Sequence, residues 1–581
     1  MIDTCVIRQR ALPQGECQLP PHLHPVIRRV LFARGVASPD ALQLELKDML
    51  APGLLSGIEA AANLLADAVT SGRSILVVGD FDADGATGTA VAVLALQWMG
   101  CGNVTFRVPN RFEFGYGLTV PLVDTLAAAP PDVLMTVDAG IGCVQGVARA
   151  RELGCQVIIT DHHLPGQVMP QAHAIVNPNG RGDRFPSKAL AGVGVVFYLA
   201  GMLRQVLRQR GWFSARRPEP RLAQLLDLVA LGTVADLVPL DHNNRVLVRQ
   251  GLERIRHGLA RPGLLALLRA GKRDYRHASA ADLGFAVAPR LNAAGRLEDM
   301  SIGIRCLLSD DREEAENLAA QLDELNQQRR GMQEQMQLEA MQQLRDLIAS
   351  LQKAQSLPAA LCLFDDHWHL GIVGLLAARV KDAVHRPVIA FAPESAGSDW
   401  LKGSARSVKG LHIRDVLALV DSRAPGLMRA FGGHAMAAGL SLPRASLELF
   451  QQTLQQAVVS VLDGARPEAE LLTDGALMPE EMGLELALQL QQFGPWGQRF
   501  PEPLFDGRFE VIEKRVVGGS HLRLKVRALG GRETLEAIAF NHTPEDLPAA
   551  SSARLLYRLD INRWRGSETC QLMVEKIARA D

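Results

Sequence analysis

Residues 58–100 read as a helix, the apolar run Ser74-Ile-Leu-Val-Val-Gly, and a small-residue helix from Thr87 to Met99. The alternation recurs, with apolar runs at Val104–Val108, Val133–Val137 and Val157–Thr160, a helix near 144–153 and a short strand at Ala174–Val176. Strands that are apolar throughout are buried on both faces, and strands alternating with helices build a parallel sheet. The pattern predicts a doubly wound α/β domain over residues 49–300, behind a Pro-punctuated N-terminal region, 1–48.

From Asp311 to about Gln355 the only helix breaker is Gly331, and apolar or long side chains recur at 318, 322, 325, 329, 332 and 336. That spacing predicts a helix roughly 65 Å long at 1.5 Å per residue. It connects two domains across residues 301–356. A second α/β domain is expected over 357–465, with strands at Ala360–Phe364 and Pro387–Phe391 around a helix near 371–382, and Gly-rich segments at Gly403 and Gly432. Beyond it, over 466–581, His521-Leu-Arg-Leu-Lys-Val-Arg alternates with period two, and Leu555–Arg565 mixes apolar, aromatic and basic residues. A small antiparallel β-domain follows, in which Arg523, Lys525 and Arg527 share one face. That face is either merely solvated or a contact for nucleic acid.

A length of 581 residues fits about three to five domains. With 48% hydrophobic and 22% charged residues, a wholly disordered chain is excluded. The net charge of -1 means that affinity for a polyanion must come from local clusters. No run reaches about 18 apolar residues and the N-terminus lacks a signal-peptide core, so a cytoplasmic protein outside any membrane is expected. The eight cysteines form no C-x-x-C pair and are expected to be reduced thiols, not a zinc site.

The candidate chemistry lies where strands end. Asp80-Phe-Asp82-Ala-Asp84-Gly follows the first apolar run, Asp138 ends Val133-Leu-Met-Thr-Val, and Asp161-His162-His163 ends Val157-Ile-Ile-Thr. Open α/β sheets bind ligands at the carboxyl ends of their strands. Turns also gather aspartates, but three successive strand ends would bring these groups to one edge. Four or more carboxylates cannot share a site as bare anions, and divalent cations remove the repulsion. Oxygen donors with an imidazole and no thiolate suit Mn²⁺ or Mg²⁺. Asp236, ending an apolar segment just before Pro239, is a further candidate, or else a helix or turn cap.

The strings DFDADG, TVDAG, TDHH and GTVADLVPL resemble the four motifs of the DHH phosphoesterase superfamily. Ala288-Pro-Arg290-Leu-Asn292-Ala-Ala-Gly-Arg296 and Phe431-Gly-Gly-His434-Ala-Met-Ala-Ala-Gly resemble later motifs of its bacterial RecJ branch of single-strand-specific exonucleases. The resemblance implies a DHH domain, a long connecting helix, a DHH-associated domain and a C-terminal OB-fold β-barrel. It implies two Mn²⁺ or Mg²⁺ ions per site, one held by Asp82 and Asp138, the other by Asp84, Asp138, His162 and Asp236. Asp138 would bridge, Asp80 stands where relatives acting on small substrates use a histidine, and His163 would touch phosphate or orient a ligand.

The same resemblance implies that Arg111, Ser404 and Arg406 bind the 5′ end of a strand. Arg290, Asn292 and Arg296 fit phosphate contacts, because guanidinium offers phosphate a fork of donors, or else ordinary surface ion pairs, and His434 could hold a phosphate where small residues allow close backbone approach. The implied activity is a 5′-to-3′ exonuclease of single-stranded DNA in recombination and repair. The implied enzyme is a monomer, partnered by a single-stranded-DNA-binding protein and a RecQ-type helicase. The alternatives are a DHH phosphodiesterase for short oligonucleotides and a silent single-strand-binding relative. A haloacid-dehalogenase-type phosphatase is disfavoured, because Ala86 occupies the threonine position after Asp82 and the DHH string has no role there.

Overall fold

The structure is a computed structural model that describes residues 5–110, 113–353, 357–395, 397–463, 469–519, 521–548, 552–564 and 566–579. The chain forms two compact units. The larger joins Arg10–Gln327 to Thr473–Asp581, and the smaller joins Met1–Gln9 to Gln328–Leu472.

The larger unit is built on a five-stranded, wholly parallel sheet in the order Val104–Arg107, Ile75–Gly79, Val133–Val137, Gln156–Thr160, Ala174–Val176. Its central strands are buried along their whole length, as continuous Val, Ile and Leu runs require. The second helix begins at Ala83, not Thr87, because the Asp82 side chain accepts the Gly85 N–H at 2.9 Å and caps it. Asp84 therefore lies within the helix.

The C-terminal strands Phe505–Val517, His521–Ala528, Thr534–Phe540, Ser552–Trp564 and Ser567–Arg579 close into a five-stranded barrel. Leu522, Leu524 and Val526 fill its interior, as the period-two pattern predicts. One apolar core runs from Val26 and Leu31 through the helices on the sheet to Phe505, Phe509 and Leu572 inside the barrel. Residues 10–48 and the barrel thus share that core.

Within the expected connecting segment 301–356, whose residues 354–356 lie outside the described residues, two helices form, Ser301–Leu308 and Arg312–Lys353. Asp311 Oδ1 accepts the Glu313 and Glu314 N–H groups and starts the second one afresh. That helix runs through Gly331 unbroken; an isolated glycine costs a helix only about 1 kcal/mol. Leu318, Leu322 and Leu325 pack into the core.

In the smaller unit a mixed sheet runs Ala430–Gly433, Ala437–Pro443, Trp400–Arg406, Val388–Pro393, Leu361–Phe364, flanked by helices that include Leu370–Val384. Cys5–Gln9 pairs with Ala469–Thr473. Among the described residues no single helix is long and apolar enough to cross a membrane.

Candidate metal centre

The three central strands end in register, with Gly79 opposite Val137 and Val137 opposite Thr160. The next residues are Asp80, Asp138 and Asp161, and the ladder continues through them: Asp80 N–H to the Val137 carbonyl at 3.2 Å, Asp138 N–H to Thr160 at 3.0 Å, Asp161 N–H to Val176 at 3.1 Å. Equal strand lengths therefore deliver three carboxylates to one edge.

Two helices complete the cluster. Asp82 and Asp84 sit at the start of Ala83–Trp98, and Asp236 follows the last residue of the helix Leu226–Ala235. Both Asp84 oxygens accept backbone N–H groups at the start of Gly192–Gln209, from Gly192 at 2.7 Å and Val193 at 2.9 Å. A helix N-terminus with open N–H groups favours such an anion. Asp138 adopts φ 59°, a left-handed conformation rare outside glycine and of the kind found at functional sites. A Cβ on Gly192 would lie 2.7 Å from the Asp138 side chain, so only glycine leaves room there.

The donor atoms form overlapping groups, each within 4.8 Å: Asp80, Asp82 and Asp138; Asp84, His162 and Asp236; and Asp138 with His162 and His163. His162 Nε2 is 3.1 Å from Asp138 Oδ1 and 3.4 Å from Asp236 Oδ2. Asp80 Oδ1, Asp138 Oδ1 and His162 Nε2 are buried without a hydrogen-bond partner. Buried polar atoms that converge unpaired are costly unless something binds them. A divalent cation fits that donor set.

The protonation states agree with this. Burial, with the His163 charge, pushes His162 down to about 4, leaving a neutral imidazole with a free lone pair. The hydrogen bond from His163 Nδ1 to Asp161, 2.8 Å, pushes His163 up to about 9. That bond also occupies His163 Nδ1 and orients the ring. Burial and the Asp82 charge push Asp80 and Asp236 up to about 7. Burial and neighbouring carboxylates raise Asp84 and Asp138 well above the ordinary range. Asp161 stands outside the donor groups: its oxygens accept the His162, His163 and Ile141 N–H groups and fix the turn that carries both imidazoles.

Other expected contacts separate. Arg290 is turned inward, 7% exposed, paired with Asp323 at 2.6 Å and donating to the Ala270 carbonyl. It ties its helix to the start of Arg312–Lys353 and is not placed to grip phosphate. Asn292 Oδ1 accepts the Ala83 N–H at 2.8 Å. On the same face, a Cβ at Gly295 would strike the Phe81 carbonyl oxygen at 1.9 Å, so this helix clamps the Asp-rich turn. Arg296 is exposed. Arg111 lies outside the described residues.

Tyr116 escapes the sequence reading. Half exposed, it donates to the Asp138 carbonyl at 3.3 Å, and its ring packs edge-on against Phe81 at 6.0 Å and His163 at 6.2 Å. Its signal was the flanking pair Gly115 and Gly117, both at positive φ.

In the smaller unit Ser404 and Arg406 share a strand, with Arg406 Nη1 donating to Ser404 Oγ at 2.8 Å. His434 is exposed in the adjoining hairpin, its N–H bonded to Ala437, which pairs with Arg406. Gly374 matters here, since a Cβ would approach Arg406 Nη2 to 2.9 Å. On the barrel, Arg523, Lys525 and Arg527 do share a wet face, but each stands beside a carboxylate: Glu536 at 3.0 Å, Glu513 at 4.0 Å and Glu510 at 3.8 Å. The face is of mixed charge, because the neighbouring strands supply the acids.

Comparison with known proteins places these features in one family. The DHH family N-terminal-domain model matches residues 74–233, the DHHA1 domain model 356–460 and the RecJ OB domain model 473–576. The "Single-stranded-DNA-specific exonuclease RecJ" of Escherichia coli (strain K12) is 50% identical over 575 residues, 98% of each chain. The crystal structure of RecJ from Thermus thermophilus with Mn²⁺ superposes with a TM-score of 0.76 and 29% identity, covering 100% of this chain and 80% of that one. The same protein's structure with Mg²⁺ gives 0.71 and 28%, covering 100% and 79%. With the strand-end carboxylates, the DHH turn and all three domain types present, the chain belongs to the RecJ family of DHH proteins.

Proposed function

We propose that this chain is a metal-dependent exonuclease that removes nucleotides from single-stranded DNA in the 5′-to-3′ direction, in recombination and repair. The observation that carries the reading is the intact donor set at the sheet edge, in a chain 50% identical along 98% of its length to a relative named for that activity. A silent binding relative would have no reason to keep Asp82, Asp84, Asp138, His162 and Asp236 together. The complete barrel domain favours long strands over short oligonucleotides.

Asp80, Asp82 and Asp138 would hold one Mn²⁺ or Mg²⁺ ion and Asp84, His162 and Asp236 a second, with Asp138 between them. Bound there, such ions supply a water of lowered pKa and offset charge developing on the phosphate oxygens. The chain's own groups do the rest. His163, held by Asp161, carries a positive charge toward the phosphate. Asp161 keeps the two imidazoles in place, Asn292 holds the Asp-rich turn, and Tyr116 walls the site. Ser404, Arg406 and His434 are proposed to receive the 5′ phosphate of the strand. We place the enzyme in the cytoplasm as a monomer, working with a single-stranded-DNA-binding protein and a RecQ-type helicase.

The test is digestion of end-labelled single-stranded, duplex and circular DNA with Mn²⁺ by the unaltered protein and by Asp138→Ala. Loss of nucleotides from the 5′ end of linear single strands alone, abolished in a folded D138A, is expected. Efficient cutting of circles, or near-normal turnover by D138A, would refute it.

A further inference from the structure

A cleft of about 540 Å³ opens in the larger unit beside His162 and is lined by Lys188, Pro239, Arg245, Arg499 and Phe500, among others. Its volume falls in the range of small-ligand sites, about 300–1,000 Å³. Its wall is cationic, and the charges divide into two kinds.

Arg34 and Lys188 are neutralised by Asp474 at 2.7 Å and Asp183 at 3.1 Å. Asp241, also in the wall, is already engaged, accepting the Ser187 hydroxyl at 2.6 Å and the Asn244 N–H at 2.9 Å. Arg245 is different. It stacks on the Phe500 ring at 4.4 Å and donates to the Ala41 carbonyl at 2.8 Å, with no carboxylate at ion-pair distance among the described residues. Burial pulls it down to about 10, which leaves it charged at neutral pH. Arg499 is exposed and likewise has no ion pair among the described residues.

Arg499 is held in place. It sits in a tight turn closed by Gly497 N–H to Phe500 O at 2.8 Å and Phe500 N–H to Gly497 O at 3.1 Å. The turn is pinned by the Leu240 N–H to the Gln498 carbonyl at 2.8 Å, and a Cβ on Gly497 would strike Leu240 at 2.7 Å. The segment Asp236–Leu240 thus carries a metal donor at one end and the anchor of this turn at the other. Arg499 itself adopts φ 58°, where glycine would be at ease. A long cation kept in that conformation, on the rim of a cleft that reaches a metal donor, calls for an anionic ligand.

We propose that Arg499, with Arg245 behind it, forms a phosphate subsite adjoining the metal centre. The proposal rests on the reading that the chain hydrolyses single strands. Its ligand is a nucleotide phosphate, supplied either by the strand next to the scissile bond or by the released mononucleotide.

The test uses the full-length protein with Mn²⁺ and the variants Arg499→Gly, which suits the left-handed backbone, and Arg499→Lys, which keeps the charge. Rates are measured on 5′-phosphorylated oligothymidylate of about 20 nucleotides over a range of salt, and thymidine 5′-monophosphate is added as inhibitor. If the strand supplies the phosphate, R499G raises KM about tenfold, lowers kcat less, and reduces the slope of log affinity against log salt by about one. R499K recovers most of the loss. If the mononucleotide supplies it, R499G instead weakens inhibition by the monophosphate about tenfold, with the strand KM unmoved. An R499G protein with normal thermal midpoint and Mn²⁺ titration, and with KM, salt slope and inhibition all unchanged, overturns the subsite. Failure of the unaltered protein to digest any strand would strike the functional reading instead.

Discussion

Stripping the metal from this protein should destabilise it more as the pH rises, and replacing two carboxylates by amides should remove that effect. Burial and the Asp82 charge push Asp80 and Asp236 from 3.8 up to about 7 in the metal-free site. An acid whose folded pKa is raised binds its proton more tightly when folded. Its stabilising contribution is complete below the unfolded value and is lost as the pH climbs through the folded one. Three units at about 1.36 kcal/mol each give about 4 kcal/mol for one group. The two share the repulsion from Asp82, and the Asp236 side chain is 25% exposed, so about 4 kcal/mol is the better figure for the pair. At about 1 °C per kcal/mol for a body of this size that is roughly 4 °C.

The assay is thermal unfolding in chelator, comparing the unaltered protein with Asp80→Asn/Asp236→Asn from about pH 5 to about pH 8.5. The amide protein should melt roughly 4 °C higher at the alkaline end, and less than half that gap should remain near pH 5. Mn²⁺ should close most of that gap. At a hundredfold excess over Kd it stabilises the unaltered protein by about 2.7 kcal/mol, and it should do little for the double variant. A gap that does not change with pH, or equal stabilisation of both proteins by Mn²⁺, would refute the reasoning.

Arg290→Met should cost roughly 3 kcal/mol of stability, because it leaves the carboxylate of Asp323 without its buried partner. It should leave the salt dependence of single-strand binding unchanged, and a reduced slope would return Arg290 to the phosphate contacts. Asn292→Ala should weaken Mn²⁺ binding about 10- to 100-fold by releasing the Ala83 N–H and with it the Asp-rich turn. An unmoved midpoint in a Mn²⁺ titration would show that the turn holds itself.

The carboxylate cluster at the sheet edge was legible in the sequence because parallel strands of equal length leave little choice. An apolar run followed by Asp, three times over, places Asp80, Asp138 and Asp161 at one edge once the strands pair, and the barrel strand His521–Ala528 was equally plain from its period of two. Local pattern carries such features because strand periodicity and burial are set within a few residues. What surrounds the site was not legible. Arg290 and Arg523 look alike in sequence, yet one is buried on Asp323 and the other meets Glu536 across strands. Nothing near either in the chain names its partner.

The sequence by itself determined the strand-end carboxylates, the helices behind them and the three kinds of domain, because these follow from residue patterns with short periods. Only the tertiary structure decided that residues 10–48 and the barrel join the sheet's core, that Asn292 and Gly192 shape the site, and that Arg499 stands over a cleft beside His162. These are contacts between residues tens to hundreds of positions apart, and their partners are chosen by packing, which no local pattern encodes.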